Sequence, residues 1–256
     1  MKRGKFVIGA FGQSNMLRRS PHPTWDVPPN LYIWDNDAFF LGKAFVKPAP
    51  DLMNTAWAFA AKAAKERPND DVYVIVVARG GTPIAHWLPN PPSPDLYSPT
   101  KMNVEAALAA IGADKIDVCL WWHGESDVED SEFYDIKFET LISDRFHKEV
   151  WFPATTPIVI FGIVNSAIGQ HYRYGLFART LIRCASRSPS HRFYFHTASV
   201  LPKTFWDDAL HASGRGYARA GAFAWLVYKS CSHPIGRTIN MIIRRYIRRK
   251  VIRGKA

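Results

Sequence analysis

Two widely separated segments of the sequence carry side chains that together could transfer an acyl group. Ser14 lies in the segment GQSN, and Asp208 and His211 stand three residues apart in the segment DDALH. A serine hydroxyl is a weak nucleophile until a base takes its proton, and histidine suits that role near neutral pH. The histidine needs a carboxylate that fixes its tautomer and stabilises the imidazolium. A short turn would let Asp208 serve His211 in this way, with Asp207 as the rival carboxylate.

Acyl transfer also requires hydrogen-bond donors directed at the oxyanion that forms on the attacked carbonyl group. The candidate donors are the backbone N–H of Ser14, a backbone N–H of Gly80 or Gly81, and a side-chain donor in the segment WWHGESD. These donors come from two further segments of the chain. The predicted site therefore depends on a fold that brings four segments together.

Structural explanations exist for the same residues. Ser14 is an ordinary turn residue, His211 can be a polar residue beside a helix, and Asp208 can cap the helix that follows. Because all four segments occur in one chain, we favour the catalytic interpretation.

Apolar runs typical of buried strands alternate with helical runs along the chain. The predicted strands are 6–11, 71–78, 116–122, 157–164 and 192–197. The predicted helices are 54–67, 101–112, 132–150, 172–186 and 214–230. This alternation predicts an α/β fold, a three-layer α/β/α sandwich with a five-stranded parallel sheet and helices on both faces.

The predicted sheet explains how distant residues could meet. Ligands bind beyond the carboxyl ends of parallel strands, so residues 12–15, 79–82 and 123–127 are expected to meet at one edge. The segment 18–52 is rich in Pro, Asn and Asp. It is predicted to be an irregular functional loop region, because plain connections are shorter.

Length and cysteine content limit the class of protein. A chain of 256 residues can form one well-buried α/β domain, predicted here as residues 1–235. Three cysteines, far apart and outside CxxC spacing, argue against a zinc site and a disulfide framework. No uninterrupted run of about twenty apolar residues is present, and a cleaved signal peptide would remove GQSN. A cytoplasmic location is therefore expected.

The positive net charge of +11 is concentrated at the end of the chain. Residues 236–256 hold eight Lys or Arg and no acidic residue, which leaves 25 basic against 22 acidic residues elsewhere. Apolar residues in this tail recur on one helical stripe: Ile239, Ile242, Ile243, Tyr246 and Ile247. The tail is predicted either to lie on an anionic membrane surface, at the inner membrane face, or to pack on the body. No nucleic-acid partner is expected.

Four motifs occur in order along the chain: GQSN, a GGT loop followed by Trp87, WWHGESD, and a late D-x-x-H. Together they resemble the SGNH (GDSL-like) hydrolase superfamily over residues 5–220. Within it they are most similar to the sialate O-acetylesterase and acetylxylan-esterase-like branch of carbohydrate esterases. The resemblance implies an SGNH, flavodoxin-like fold.

The resemblance also implies residue roles. It makes Ser14 the nucleophile, His211 the general base and Asp208 its orienting carboxylate. It places oxyanion donors at the Ser14 amide, the Gly80–Gly81 turn and the third motif. The sequence departs from the family there, since the family usually has Gln before Gly-Glu-Ser and this chain has His123. An imidazole N–H can donate as an amide does.

Residues beside the predicted triad are expected either to contact substrate or to brace loops. They are Gln13, Asn15, Trp87, Glu125 and Asp127, the last two as loop braces. Glu125 and Asp127 also suggest a glycoside hydrolase pair, but that would leave the serine set unexplained. Metal binding by His123, Glu125 and Asp127 matches no defensible spacing, so no metal or cofactor is expected.

The sequence thus predicts a serine esterase that removes O-acetyl groups from a carbohydrate through an acyl-enzyme. The first alternative is a polysaccharide O-acetyltransferase that uses the same triad. The second is a catalytically weak carbohydrate-binding SGNH domain. The expected partner in each case is a carbohydrate, which is acetylated in the esterase reaction.

Overall fold

Strands and helices alternate along the chain in the computed structural model, which describes residues 3–36, 40–163, 174–197 and 200–232. The strands are β1 (Gly4–Gly12), β2 (Ser20–Pro21), β3 (Leu31–Trp34), β4 (Phe45–Val46), β5 (Leu52–Met53), β6 (Asp70–Ala78), β7 (Val118–Trp122), β8 (Ile158–Phe161) and β9 (Arg192–Phe195). The helices are α1 (Ser14–Leu17), α2 (Thr55–Glu66), α3 (Tyr97–Ile111), α4 (Tyr134–Asp144), α5 (Tyr174–Ser186) and α6 (Gly214–Ser232).

The central sheet has seven strands in the order β4-β3-β6-β1-β7-β8-β9. Every neighbouring pair is parallel except β3 and β4, which are antiparallel. Strands β6 and β7 flank β1 on opposite sides, so the chain leaves β1 in one direction and later returns on the other. This reversal of strand order opens a crevice at the carboxyl end of β1, directly before Ser14.

The sheet is buried between two layers because β1 is apolar on both faces. Phe6 and Ile8 join a core cluster with residues of α2 and α6. Val7 and Phe11 join a second cluster with residues of α3, α4 and α5. Residues of a strand that is buried on both faces read as a continuous apolar run, as this segment does. The predicted three-layer α/β/α arrangement is confirmed.

The predicted strand count was too low. All five predicted strands are present, but the segment predicted to be irregular contributes β3 and β4 to the sheet. β3 is only four residues long and follows Pro28, Pro29 and Asn30, so its strand character depends on pairing with β6. β4 has two residues and is antiparallel, which makes the sheet mixed rather than wholly parallel.

The helix predicted for residues 132–150 was too long. α4 ends at Asp144, and a separate 3₁₀ turn spans Phe146–Lys148. Phe146 is fully buried in the second core cluster, and the Arg145 guanidinium donates to the Leu88 carbonyl oxygen at 2.9 Å. These tertiary contacts redirect the chain where the local pattern would continue the helix.

The basic tail at 236–256 lies outside the described residues. The boundary at 235 and both interpretations of the tail, the anionic membrane surface and packing on the body, therefore stay predictions. Among the helices of the described ranges, none is both long and apolar enough to cross a membrane.

Candidate active site

A sharp turn delivers Ser14 from the end of β1 to the start of α1. Gly12 has a φ of +144°, and a Cβ atom there would lie 2.0 Å from the Trp122 carbonyl oxygen. Only glycine fits this position, because both the backbone conformation and the close approach exclude a side chain. The same oxygen accepts the Gln13 N–H at 2.9 Å, which fixes the chain just before the serine.

The structure brings Ser14, His211 and Asp208 into one hydrogen-bonded chain. His211 Nε2 lies 3.1 Å from Ser14 Oγ, and His211 Nδ1 lies 2.8 Å from Asp208 Oδ2. An ionised carboxylate only accepts hydrogen bonds, so Nδ1 carries the ring proton and Nε2 is left to accept the serine hydroxyl. This is the arrangement that a serine nucleophile, its base and an orienting carboxylate require.

Asp208 is held by the backbone of its own loop. Its Oδ1 accepts the N–H groups of Leu210 and His211, each at 2.7 Å. Partial burial opposes ionisation, but the hydrogen bond from the His211 ring and the two backbone N–H groups outweigh it. They hold the pKa of Asp208 well below its usual range. The carboxylate therefore stays charged beside the imidazole.

Asp207, the rival carboxylate, has different partners. Its Oδ2 accepts the Ser20 hydroxyl at 3.3 Å and lies 3.7 Å from the Arg18 guanidinium. Its backbone N–H donates to the His211 carbonyl oxygen at 2.9 Å. Asp207 thus contacts His211 through the backbone, whereas Asp208 contacts the His211 ring.

The predicted oxyanion donors lie at the same edge of the sheet as Ser14. A Cβ atom on Gly80 would lie 3.2 Å from Ser14 Cβ, so the Gly80 backbone passes directly beside the serine. Gly81 follows with a φ of +72°, a left-handed conformation that favours glycine. Ser14 is the first residue of α1, where backbone N–H groups have no partner within the helix. The start of α1 at Ser14 and the backbone of the glycine turn thus lie side by side.

Gln13 is a buried brace between two loops. Its side-chain N–H₂ donates to the Thr82 carbonyl oxygen and to Ser126 Oγ, both at 2.7 Å. Its Oε1 accepts the N–H groups of Gly124 and Glu125 at 2.9 Å. All hydrogen-bonding groups of the amide are therefore used, and they fix the glycine turn relative to the segment after β7.

Asn15 is a second buried brace, on the other side of Ser14. Its Nδ2 donates to Glu125 Oε1 at 3.0 Å and to the Leu210 carbonyl oxygen at 3.1 Å. Its Oδ1 accepts from the Ala212 N–H and the Tyr217 hydroxyl, both at 3.2 Å. Asn15 therefore ties the nucleophile helix to the loop that carries Asp208 and His211.

Glu125 takes part in this brace through a carboxyl group whose Oε2 is buried without a hydrogen-bond partner in the described chain. Burial raises the pKa of Glu125, and the hydrogen bond from Asn15 only partly opposes the shift.

Trp87 is a packing residue: it is fully buried, contacts Phe11 at a tilt and contacts Trp121 edge to face. For Gln13, Asn15 and Trp87, burial favours bracing over contact with substrate.

His123 is fully buried behind the glycine turn. Its ring stacks on Trp121 with centroids 5.0 Å apart, and its Nδ1 lies 3.1 Å from the Tyr134 hydroxyl. Burial lowers the pKa of His123 to about 3, with the backbone of Thr82 opposing the shift. The ring is therefore neutral near pH 7. Its Nε2 has no hydrogen-bond partner among the described residues, and its role as an oxyanion donor stays a prediction.

Asp127 holds the far end of the glycine loop. Both carboxylate oxygens accept the Ile84 N–H, at 3.0 and 3.2 Å. Burial raises the pKa of Asp127 to about 7, against the effect of the Ile84 hydrogen bond. These contacts favour the bracing role for Asp127, which stays a prediction.

Two contributors to the site were missed in the sequence. Arg18 contacts Asp208 at 3.4 Å, and Tyr134 contacts the His123 ring. For Arg18 the sequence offers one signal: it lies four residues after Ser14, and one helical turn places such residues on the same face. Within the described ranges, no three His, Cys, Asp or Glu side chains are grouped to hold a metal ion.

The sequence profile of the family "Carbohydrate esterase, sialic acid-specific acetylesterase" matches residues 46–222, more than half of the chain. No curated protein matches the sequence significantly.

Solved structures share the fold at low sequence identity. A protein of Arabidopsis thaliana superposes with a TM-score of 0.68 and 20% identity, over 88% of this chain and 98% of that one. A carbohydrate acetylesterase from Xanthomonas citri gives 0.64 and 14%, over 88% and 57% of the two chains. NanS gives 0.64 and 11%, over 89% and 97%. At these identities the similarity establishes the fold.

Proposed function

The chain belongs to the sialic acid-specific acetylesterase family of carbohydrate esterases and is therefore a carboxylic ester hydrolase; from this premise we propose that it removes O-acetyl groups from a carbohydrate through a triad of Ser14, His211 and Asp208. The observation that carries the proposal is the chain of hydrogen bonds from Asp208 through His211 to Ser14 Oγ, at 2.8 and 3.1 Å. It joins residues 197 positions apart in the sequence.

In the first step, Ser14 Oγ attacks the carbonyl carbon of the acetyl ester while its proton passes to His211 Nε2. Asp208 stabilises the imidazolium that results, through the hydrogen bond to Nδ1. The negative charge on the carbonyl oxygen is met by the N–H of Ser14 and an N–H of the Gly80–Gly81 turn. As this intermediate collapses, the proton returns from Nε2 to the sugar oxygen that leaves, and the acetyl group remains on Ser14.

In the second step, His211 accepts a proton from a water molecule, whose oxygen attacks the acetyl-serine carbonyl. The bond to Ser14 Oγ breaks, acetate leaves, and the proton returns to the serine. The sugar hydroxyl, acetate and one proton released to solvent together account for all atoms of the ester and the water. The chemistry uses only the side chains and backbone groups described above.

The test compares wild type with Ser14→Ala and with Ser143→Ala, an exposed serine on α4 that contacts Asp144. Wild type and Ser143→Ala are expected to release acetate from an O-acetylated sialic acid and from an aryl acetate, whereas Ser14→Ala releases none above the uncatalysed rate. Mass spectrometry of a rapidly quenched aryl acetate reaction is expected to find one acetyl group on the peptide that contains Ser14.

Retention of acetate release by Ser14→Ala would contradict the proposed nucleophile. Transfer of the acetyl group to an added sugar hydroxyl, without acetate release, would contradict hydrolysis while keeping the triad. Sugar binding without turnover, equal in wild type and Ser14→Ala, would contradict both and leave a binding domain.

A further inference from the structure

Arg18 connects the helix that begins at Ser14 to the loop that carries Asp208 and His211. Its backbone N–H donates to the Ser14 carbonyl oxygen at 2.8 Å and ends α1. Its guanidinium lies 3.4 Å from Asp208 Oδ2 and 3.7 Å from Asp207 Oδ2. Backbone and side chain of one residue therefore contact both sides of the site.

The oxygen that Arg18 contacts is the oxygen that receives the His211 ring. Asp208 Oδ2 lies 2.8 Å from His211 Nδ1 and 3.4 Å from Arg18 Nη1. Because the guanidinium interacts with the same carboxylate oxygen, less of the negative charge of that oxygen is left to stabilise a protonated imidazole. It also places a permanent positive charge near the ring, with the Asp208 carboxylate between the two groups. Both effects oppose the addition of a proton to the imidazole.

The other groups around the ring do not supply this charge. The charged and titratable groups there are Arg18 from the end of α1, Glu125 from the turn after β7, Asp207 and Asp208 from the same loop, and Tyr217 from α6. The acidic members favour a protonated ring. Among the described residues that contact Asp208, Arg18 is the cation with a permanent charge.

We propose that Arg18 is a positioning residue for the reaction: through the Asp208 oxygen that it shares with the His211 ring, it extends the activity to lower pH than Asp208 alone would allow. The inference rests on the proposed function, because it requires His211 to be the general base. Arg18 itself does not touch the reacting atoms in this arrangement. Its contribution is made through the shared Asp208 oxygen.

The experiment measures the pH dependence of kcat/KM for an aryl acetate in four proteins: wild type, Arg18→Gln, Arg18→Lys and Arg19→Gln. The acid limb of this profile reports protonation of the base in the free enzyme. In Arg18→Gln the midpoint of the acid limb is expected to rise by about half a pH unit. At a given pH on that limb, this corresponds to a roughly threefold loss of kcat/KM. Arg18→Lys keeps the charge and is expected to leave the midpoint close to that of wild type.

Arg19→Gln is the matched control. It removes the same charge one residue along, but the Arg19 guanidinium lies over the Trp57 ring, 5.2 Å from its centroid. Its acid limb is expected to coincide with that of wild type. In about 1 M NaCl, where the screening length is about 3 Å, the difference between wild type and Arg18→Gln is expected to shrink.

The outcomes separate this inference from the proposed function. If Arg18→Gln lowers kcat/KM equally at every pH, or if Arg19→Gln shifts the limb as much, the inference is wrong while the triad stands. If Ser14→Ala keeps wild-type activity, the proposed function fails, and the inference fails with it. A shift of the acid limb that is confined to Arg18→Gln and reversed by lysine supports it.

Discussion

Asn15 Nδ2 donates a hydrogen bond to Glu125 Oε1 at 3.0 Å, across the crevice between the nucleophile helix and the segment after β7. The same amide contacts the Leu210 carbonyl oxygen, the Ala212 N–H and the Tyr217 hydroxyl. A single side chain thus joins three segments of the site, and the relative position of Ser14 and His211 depends on it.

We expect Asn15→Ala to lower the free energy of unfolding by about 2–4 kcal/mol, because it leaves several buried polar groups unpaired. Urea unfolding measures this quantity. Tyr217→Phe is the control, since it removes one of the four bonds and keeps the ring, with an expected cost of about 1 kcal/mol. A smaller loss in Asn15→Ala than in Tyr217→Phe would contradict the bracing role.

The sequence predicts the parts of the site that depend on strand ends. Buried apolar runs identify five strands, and parallel strands place their carboxyl ends at one edge, so the association of Ser14, Gly80 and His123 with that edge could be inferred. The Asp208–His211 pairing was also accessible, because three residues separate them and the contact is local.

Contacts that depend on tertiary packing were not accessible in the same way. β3 has four residues and becomes a strand only by pairing with β6. The bond between Asn15 and Glu125 spans 110 positions, and the contact of Arg18 with Asp208 spans 190. No periodicity encodes such pairs, since they arise from how the layers pack.

Asp208→Asn and Asp207→Asn are expected to differ sharply in activity. An amide at position 208 can present its N–H₂ group to His211 Nδ1 and stabilise the wrong tautomer, so kcat should fall by about 10²–10⁴-fold. Asp207→Asn disturbs Ser20 and Arg18 but leaves the ring contact, so kcat should stay within about tenfold. Steady-state kinetics with an aryl acetate measures both. A larger loss in Asp207→Asn would reassign the carboxylate.

Replacing Gly80 or Gly81 by alanine is expected to have different effects, because the first change crowds Ser14 and the second strains the backbone. In Gly80→Ala the new Cβ lies 3.2 Å from Ser14 Cβ, so the serine must shift, and we expect a loss of about tenfold or more in kcat/KM. In Gly81→Ala the new Cβ meets open space, but its φ of +72° costs about 1 kcal/mol of stability. Kinetics and thermal unfolding of both variants test this, and greater activity loss in Gly81→Ala would contradict it.

His123→Gln, which installs the residue that the family pattern usually has before Gly-Glu-Ser, is expected to make the protein less sensitive to acid. Burial lowers the pKa of His123 from 6.5 to about 3 in the folded protein. Between these values the unfolded chain binds a proton that the folded chain does not. The stability that the neutral ring provides is therefore complete above pH 6.5 and is lost as the pH falls towards 3.

Chemical unfolding at pH 7 and pH 4.5 measures this effect. The loss of unfolding free energy between the two pH values should be about 2 kcal/mol smaller in His123→Gln than in wild type. Tyr134→Phe is the control, because it removes the hydroxyl that contacts the ring but keeps the histidine. It should lower stability similarly at both pH values. Equal pH dependence in wild type and His123→Gln would show that the buried ring is not the acid-sensitive group.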